Sequence, residues 1–442
     1  MTAGVQRYLA DVAVTCSADF EVIADAALDV LDGRIQWIGP VAEAPEVECE
    51  RHALGGLVMP GLVNAHAHTP MTLVRGAGDG LPLDRWLREV MWPREGQMTP
   101  DDAWWGMTLG SAEMLRHGVT TSCEMYLFED SVVDAVHHSG ARLVMTPGVL
   151  SALHAETFGS DSSRIDNITK FRDLHHDPEG RVTVGFGPHS AYDLSIDDCR
   201  LLADAARDTD SLLHIHIAES RSEGAELEAA HAGASTVQIL ADAGVFGGRV
   251  LAAHSVWLDD RDLDTYAEFG VSVAHCPVSN MKLGSGTARV ADMRARGITV
   301  ALGTDGPASN DDLDLWQELR MAPLLARVTS LDAAALGPID ALTMATRDGA
   351  RAVGLHDVGV LRPGAQADFI RLDLDDAAFV PVTSPDELIA HLGWSAAARH
   401  VTDVWVAGEQ VVAGGVCTSV DEERARAEVQ KRALRLAGVS TD

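Results

Sequence analysis

Eight short apolar runs recur between residues 57 and 303, and patterns typical of helices separate them. Helical spacing of apolar residues is found, for example, over 103–116 and 195–208. Continuous apolar strands that alternate with helices are typical of a parallel sheet covered on both faces, and eight of them suit a closed barrel. The pattern predicts an α/β fold of the (β/α)8 TIM-barrel type, with strands in 57–65, 120–126, 142–149, 182–187, 212–218, 250–256, 271–276 and 298–303.

Both ends of the chain have a different pattern, in which short runs of alternating apolar and polar residues are separated by turns. The runs that read as strands are 8–15, 26–31, 34–38, 368–372, 400–407 and 410–413. A charged amphipathic helix is predicted over 420–436. We expect residues 1–58 and 357–442 to form a small β-sandwich domain, and 59–356 to form a catalytic barrel. The long polar stretch 150–177 is predicted to be a loop, serving either as a lid or as a subunit contact.

The charge balance is strongly acidic, with 34 Lys and Arg against 66 Asp and Glu and a net charge of −32. Such a surface repels nucleic acid and anionic membranes, but it says little about a small-molecule substrate. The six cysteines include no Cys-x-x-Cys pair, which is typical of structural thiols in a reducing cytosol. The sequence shows neither a signal peptide nor an apolar run long enough to span a membrane. We therefore expect a soluble cytoplasmic protein.

Polar residues end many of the predicted strands, and a barrel of this type places its active site at those carboxyl ends. His66 and His68 end the first run and point to the same side of a strand, so both could hold one metal ion. A single His-x-His pair is weak evidence. Later runs add His189, His214, His216, Glu219, His254, His275 and Asp305. Burying such groups unpaired costs about 2–7 kcal/mol each, and a metal ion that takes their lone pairs offsets that cost.

Five motifs carry a resemblance to a known family. They are 60–69 (PGLVNAHAHT), 116–121 (RHGVTT), 216–219 (HIAE), 275–283 (HCPVSNMKL) and 302–306 (LGTDG). The chain resembles the amidohydrolase superfamily over nearly its whole length, and within it the branch that deaminates nucleosides and purine-like rings. The 5′-methylthioadenosine/S-adenosylhomocysteine deaminase group is the most similar. The motifs identify the superfamily strongly and the substrate weakly.

The resemblance implies one divalent metal ion, for which zinc is favoured, although iron fits the same donors. The implied ligands are His66, His68, His216 and Asp305. Water at an open position on zinc would have a pKa lowered toward about 7. Glu219 would be the general acid that protonates the ring nitrogen. His254 would orient and polarise the water, and Asp305 could accept the proton of that water.

Three further residues resemble substrate contacts of the family. Glu95 stands where a glutamate accepts hydrogen bonds from the ribose hydroxyls, and a carboxylate suits a diol. A helix-capping acid beside core tryptophans is the alternative interpretation of Glu95. Trp86 could pack on the base or the sugar. His189 resembles a histidine that contacts the substrate, and a turn histidine is the alternative.

Arginines bind the homocysteine carboxylate in relatives of this kind, and Arg164 matches one of them. A surface charge is the alternative for Arg164. Residues 146–149 (TPGV) stand where another arginine is expected, which puts S-adenosylhomocysteine in doubt as a substrate. His214 is expected one layer deeper than His216, as a supporting or core residue, and His275 is expected either to support the site or to be purely structural.

The leading hypothesis is a metal-dependent hydrolytic deaminase that acts on an adenine nucleoside or a related aminated purine. Adenosine, 5′-methylthioadenosine and S-adenosylhomocysteine are the model substrates. A deaminase of a pterin or oxopurine, or a chlorotriazine-type hydrolase, is the alternative on the same fold. A third hypothesis is a non-catalytic scaffold protein. The absence of metal-binding residues from the sequence would indicate that class. The resemblance also implies a homo-oligomer.

Overall fold

Strands from both ends of the chain form one sheet. These strands are β1 Val5–Val14, β2 Val22–Leu31, β3 Arg34–Pro40, β4 Cys49–Ala53, β5 Leu57–Pro60, β16 Phe369–Leu372, β17 Val401–Val406, β18 Glu409–Ala413 and β19 Val416–Cys417. The computed structural model describes residues 4–151 and 161–439. Within these ranges the sheet order is β19-β18-β17-β16-β5-β1-β2-β3, with β4 beside β1. Antiparallel pairing of β16 with β5 joins the two ends of the chain.

Aromatic packing holds this sheet together. The rings of Phe369 and Trp405 stack with their centroids 4.5 Å apart, and Tyr8 meets Phe369 edge-on at 5.1 Å. All three side chains are buried. Strands from opposite ends of the sequence supply the three rings, so burial of this cluster stabilises the association of the N-terminal and C-terminal segments.

The middle of the chain contains short parallel strands. They are β6 Leu62–Ala67, β7 Val119–Glu124, β8 Arg142–Met145, β9 Gly148–Val149, β10 Val182–Val184, β11 Gly187–Pro188, β12 Leu212–Ile217, β13 Arg249–His254, β14 Ser272–His275 and β15 Val300–Leu302. They pair in the orders β10-β8-β7-β6, β11-β9 and β12-β13-β14-β15. Each of the eight apolar runs that predict strands overlaps one or two of these strands. The prediction of an α/β fold is therefore confirmed.

Isolated parallel bridges connect these sheets. Phe186 pairs with Leu213, and Ser190 pairs with His216, which brings the chain after β10 beside β12. Ala67 pairs with Asp305, and the amide of Asp305 donates to the carbonyl of His66 at 2.9 Å. The carboxyl ends of strands that are distant in sequence therefore meet at one edge, where the polar residues of the predicted site lie.

Helices lie between the strands and after them. They are Leu83–Trp86, Trp92–Glu95, Pro100–Arg116, Glu129–Ser139, Asp161–His175, Ile196–Asp208, Ala225–Ala230, Thr236–Asp242, Asp260–Phe269, Pro277–Lys282, Val290–Ala295, Leu315–Ser330, Pro338–Met344, Arg347–Ala352, Pro385–Trp394 and Glu422–Leu436, with a π-helical turn at Leu87–Met91. Short 3-10 turns occur at Val41–Glu43, Thr69–Val74, Ala377–Phe379 and Ala398–His400. In the part of the chain that the structure describes, none of these helices has the length and apolar composition needed to cross a membrane.

The prediction of a long loop over 150–177 is wrong in its second half, where the helix Asp161–His175 lies. Ile168 and Phe171 are three residues apart and buried, so one face of this polar segment packs against the core. The loop prediction is based on the overall polarity of the segment and does not use the spacing of Ile168 and Phe171. Residues 152–160, on which the lid or subunit-contact hypothesis also depends, lie outside the described residues.

The cysteines match the expectation of structural thiols. All six lie in the described ranges and have free thiol groups. Five of them are buried, and burial raises the pKa of the Cys16 and Cys199 thiols to about 12. Such protonated, enclosed thiols are unreactive and contribute to packing.

Candidate metal centre and substrate cavity

A cavity with about 630 Å³ of empty space opens at the carboxyl ends of the parallel strands. Most of the residues that the sequence analysis selects line it, namely His68, Trp86, Glu95, His189, His216, Glu219, His254 and Asp305. His66 is completely buried beneath them, with its Nε2 atom 3.4 Å from Oδ1 of Asp305. The structure therefore brings together side chains that are up to 239 positions apart in the sequence.

Close approach of two strand ends positions Asp305 over His66. A Cβ atom on Gly303 would lie 2.8 Å from the Cβ atom of His66, so only glycine fits at this position. Two residues later, Asp305 has a positive φ of 61°, which non-glycine residues rarely adopt. Such strained conformations cluster at functional sites, where the surrounding structure holds them in place. Here the strain turns the Asp305 carboxylate toward the histidines.

A chain of hydrogen bonds fixes the proton of His66. The hydroxyl of Thr146 donates to the carbonyl of Glu124 at 2.9 Å, so its oxygen accepts from Nδ1 of His214 at 3.0 Å. Nε2 of His214 must then accept from Nδ1–H of His66, at 2.8 Å. Burial lowers the pKa of His66 to about 3, so the ring is neutral and its Nε2 atom carries a lone pair. That atom has no hydrogen-bond partner among the described residues.

His68 and His216 have the same tautomer as His66. Their Nδ1 atoms lie 2.6 Å from the carbonyl oxygen of Met125 and 2.8 Å from that of His189. A carbonyl oxygen can only accept, so both Nδ1 atoms donate and both Nε2 atoms carry lone pairs. These two Nε2 atoms are 3.3 Å apart. Two lone pairs at that distance repel each other unless a cation lies between them.

Asp305 completes this set of lone pairs. Its Oδ2 atom accepts hydrogen bonds from the hydroxyls of Ser279 at 2.6 Å and Ser309 at 2.7 Å. Its Oδ1 atom lies 3.4 Å from Nε2 of His66 and also 3.4 Å from Nε2 of His68. These two hydroxyl donors stabilise the ionised form of the carboxylate. The serines thus orient an ionised carboxylate toward the imidazoles.

The arrangement fits a divalent metal ion. Donor atoms of His66, His68 and His216 lie within 4.8 Å of one another, and so do those of His66, His254 and Asp305. Neutral imidazoles and a carboxylate are the donors that zinc and related ions prefer. The buried lone pair of His66 and the facing lone pairs of His68 and His216 are costly without such an ion.

Two groups suited to proton transfer face each other beside this cluster. Nε2 of His254 lies 3.7 Å from Oε2 of Glu219, and both side chains are buried. Nδ1 of His254 lies 2.9 Å from Oδ1 of Asn280, so Nδ1 donates and Nε2 carries the lone pair. Burial, and then the charge of Asp305, raise the pKa of Glu219 well above its ordinary value. Burial therefore favours the protonated form of Glu219.

The opposite wall of the cavity contains a buried carboxyl group among aromatic rings. Glu95 ends the short helix Trp92–Glu95 and is only 7% exposed. Burial raises the pKa of Glu95, while the hydroxyl of Tyr126 opposes that shift by hydrogen bonding. Trp86 donates from Nε1 to the carbonyl of Ala77 at 3.0 Å, which fixes its ring against the cavity. This wall offers a hydrogen-bond acceptor beside a flat apolar surface.

Arg164 does not line the cavity, contrary to the prediction that it contacts the substrate. Its Nη1 atom donates to Oε1 of Glu129 at 3.1 Å, and its Nη2 atom donates to the carbonyl of Gly148 at 3.2 Å. The guanidinium is buried with these partners inside the fold. The alternative of an exposed surface charge is also wrong, since Arg164 is 4% exposed.

Several contributors to the site have no predicted role. Ser279 and Asn280 lie in the motif 275–283, which identifies the family without revealing that these side chains orient Asp305 and His254. No motif or periodic pattern in the sequence marks Ser309 or Tyr126 as part of the site. His214 is expected to be a deeper supporting or core residue, and its contact with His66 shows the supporting arrangement.

A family model for the amidohydrolase family matches residues 57–411 of this chain. The chain belongs to the amidohydrolase family. This amidohydrolase is 39% identical over 420 residues to a 5-methylthioadenosine/S-adenosylhomocysteine deaminase of Pelotomaculum thermopropionicum, covering 94% of this chain and 95% of the relative. It is 37% identical over 407 residues to a 5′-deoxyadenosine deaminase of Methanothermobacter thermautotrophicus, covering 92% and 94%.

A solved structure resembles this amidohydrolase closely. It is an adenosine deaminase from Xanthomonas campestris with bound zinc, and it superimposes with a TM-score of 0.92 at 32% sequence identity. The match covers 98% of this chain and 99% of the other. The resemblance to the amidohydrolases and their nucleoside-deaminating branch is therefore confirmed.

Proposed function

We propose that this amidohydrolase hydrolyses the exocyclic amine of an adenine nucleoside and releases ammonia. One observation carries the proposal: the buried carboxyl group of Glu219, whose pKa burial raises, faces Nε2 of His254 in the cavity that also contains the histidine–aspartate cluster. Hydrolytic deamination needs a proton donor and an activated water on the same side of the ring. The names of the relatives and of the zinc-containing structural neighbour favour the same reaction.

One divalent ion, zinc, is the cofactor of this proposal. His66, His68, His216 and Asp305 would hold it, because their lone pairs converge and the hydrogen bonds of their other atoms leave these atoms unprotonated. When bound, such an ion supplies Lewis acidity that makes water acidic at neutral pH. Iron fits the same nitrogen and oxygen donors, so metal analysis of the purified protein decides between the two.

The reaction balances with the side chains at hand. A bond forms between C6 of the adenine and the oxygen of a water molecule, and the bond from C6 to the exocyclic nitrogen breaks. Glu219 gives its proton to N1 of the ring, and His254 orients the water through its Nε2 lone pair. The carboxylate of Asp305 accepts one proton of the water and passes it to the leaving amine, which departs as ammonia. As the C6 carbonyl forms, the second proton of the water returns to Glu219.

The ribose is bound by the opposite wall in this proposal. The Glu95 carboxylate accepts hydrogen bonds from the two ribose hydroxyls, which repays the cost of its burial. The ring of Trp86 packs on the nucleoside, and His189 contacts the substrate from the end of β11. A pterin, an oxopurine or a chlorotriazine has no ribose diol, so it would leave the buried Glu95 with only its hydrogen bond to Tyr126. This disfavours the alternative hydrolases, and the intact set of ligands disfavours a non-catalytic scaffold.

The proposal extends to the architecture and setting of the protein. The bridges Phe186–Leu213 and Ala67–Asp305 support a closed (β/α)8 barrel over residues 59–356. Residues 1–58 and 357–442 would form the small β domain, because strands from both segments share one sheet. Six free thiols and a net charge of −32 suit a cytoplasmic protein that binds neither nucleic acid nor membranes. A homo-oligomer is expected from the family.

A substrate panel tests the function. The purified protein, with its metal content measured, is incubated with adenosine, 5′-methylthioadenosine, adenine, guanine and a pterin. We expect ammonia release together with the ultraviolet change from adenine to hypoxanthine for the nucleosides, at much higher kcat/KM than for the free bases. Preferred turnover of guanine or the pterin would refute the nucleoside assignment, and ammonia release from none of them would refute the deaminase assignment.

A further inference from the structure

We propose that the cavity accepts nucleosides with a neutral, apolar 5′ substituent and rejects those whose 5′ tail carries a carboxylate. The inference rests on the proposed nucleoside deaminase function and narrows its substrate class. A methylthio group or a 5′-deoxy carbon fits this description, whereas the amino-acid tail of S-adenosylhomocysteine does not.

Apart from the histidine–aspartate cluster and the Glu95 carboxyl group, most of the side chains that line the cavity are apolar or aromatic. They include Met71, Leu83, Leu87, Leu127, Leu150 and Leu283. Among the described residues, no lysine or arginine lines the cavity. The undescribed segment 152–160 has the sequence ALHAETFGS, which contains neither lysine nor arginine. The walls near the site therefore offer a hydrophobic contact to a 5′ substituent and no cationic partner to a carboxylate.

Two cations beside lining residues, Arg164 and Lys282, are already engaged with other groups. Arg164 is bound to the carboxylate of Glu129 and to the carbonyl of Gly148, with 5% of its side chain exposed. Lys282, next to the lining residue Leu283, donates to Asp311 at 2.6 Å and to a backbone carbonyl at 3.0 Å. Turning either cation toward a ligand would break an ion pair and leave a carboxylate without its partner.

Arg85 and Arg88, which flank the lining residues Trp86 and Leu87, have partners as well. Arg85 forms two hydrogen bonds with Glu89, one turn along the same segment. The guanidinium of Arg88 lies 5.8 Å from the centroid of the Trp92 ring, in a cation–π contact. A carboxylate that enters an apolar cavity loses its hydration without gaining a counter-ion, and this penalises binding far more than a methyl group of the same size.

A matched series of 5′-thio-5′-deoxyadenosines separates charge from size. The 5′ tails are methylthio, n-butylthio, 3-carboxypropylthio and homocysteinyl, and the last three have the same number of chain carbons. We expect kcat/KM for the two carboxylate-bearing compounds to be roughly 100-fold or more below that for the n-butylthio compound. Equal kcat/KM for the n-butylthio and 3-carboxypropylthio compounds, at whatever level, would overturn the inference.

A binding measurement keeps this test independent of turnover. The inosine counterparts of the four compounds are titrated against the protein, and binding is followed by fluorescence of Trp86 and Trp92, which line the cavity. The same order of affinity is expected, and indifference to the carboxylate would overturn the inference. If no compound of the series is deaminated while the inosines bind in the expected order, the proposed reaction fails and the tail preference stands.

Arg164 supplies the control variant. Arg164→Gln should change kcat/KM for the n-butylthio and carboxypropylthio compounds by the same factor, because the guanidinium contacts Glu129 and Gly148 and does not reach the cavity. Glu129→Gln breaks the same ion pair and keeps the guanidinium of Arg164. It should therefore also change kcat/KM for the two compounds by the same factor. A loss of more than about tenfold that is confined to the carboxylate-bearing compounds in Arg164→Gln would show that Arg164 binds the tail, and would overturn the inference.

Discussion

Nε2 of His214 lies 2.8 Å from Nδ1 of His66, on the side of that ring away from the cavity. His214 precedes His216 by two positions in β12, so the same strand face supplies a proposed ligand and, one layer deeper, the partner of another ligand. The contact fixes the tautomer of His66 and the direction of its lone pair. Partners of this kind orient metal-binding imidazoles and raise their basicity.

Thr146→Val should lower zinc affinity by about 10- to 100-fold, because it removes the oxygen that accepts the Nδ1 proton of His214. The His214 ring is then free to take the other tautomer, which no longer accepts from His66. Thr146→Ser keeps the hydroxyl and should bind zinc as the wild type does. Competition with a chromophoric chelator measures both dissociation constants, and an unchanged constant in Thr146→Val would contradict the hydrogen-bond chain.

His66→Ala should remove the bound metal and the activity together. The Nε2 atom of His66 is the most deeply buried donor of the cluster, and its removal opens the set of ligands. His275→Ala is the matched control, because His275 is also a buried strand histidine but belongs to neither group of converging donor atoms. Elemental analysis of both variants provides the test. Wild-type metal content in His66→Ala would show that the ligands are wrongly assigned.

Glu219→Gln should keep the metal and lower kcat by about 10²- to 10⁴-fold. The amide has the size of the carboxylic acid and still donates a hydrogen bond, but it cannot give up a proton to the ring nitrogen. Stopped-flow or steady-state assays of metal-loaded enzyme measure the change. A kcat close to that of the wild type would mean that another group supplies the proton.

The pH profile provides a separate test of Glu219. Burial raises the pKa of this group well above its ordinary value, which favours its protonated form. A general acid must carry its proton, and kcat should therefore fall as the pH rises through that raised pKa. This fall in kcat at high pH should be absent from the pH profile of the residual activity of Glu219→Gln. If the variant still shows the fall, a group other than Glu219 causes it.

Glu95→Ala should raise KM for nucleosides by roughly tenfold or more, since it removes an acceptor of charge-assisted hydrogen bonds from the ribose. The free base adenine has no ribose, so its kinetic constants should change little. The ratio of the two effects matters more than either alone, because any general damage to the cavity affects both substrates. Equal losses for nucleoside and base would remove the ribose-binding role of Glu95.

The sequence predicts the site better than it predicts the surroundings of the site. The family resemblance implies His66, His68, His216 and Asp305 as ligands, and the order of the apolar runs predicts that their strand ends meet. The structure adds the local contacts that no spacing encodes, such as the hydroxyls of Ser279 and Ser309 on Asp305, or the ion pair that takes Arg164 away from the cavity. The helix Asp161–His175 escapes the prediction because only one narrow face of it is apolar.

Reconstitution of the metal-free protein tests the central claim most directly. The protein is stripped with a chelator, zinc is added in steps, and ammonia release from 5′-methylthioadenosine is measured against bound zinc. We expect activity to rise in proportion to bound zinc and to saturate at one ion per chain, with one ammonia released for each hypoxanthine nucleoside formed. Full deaminase activity in the stripped protein, or no ammonia release at full zinc occupancy, would contradict the account.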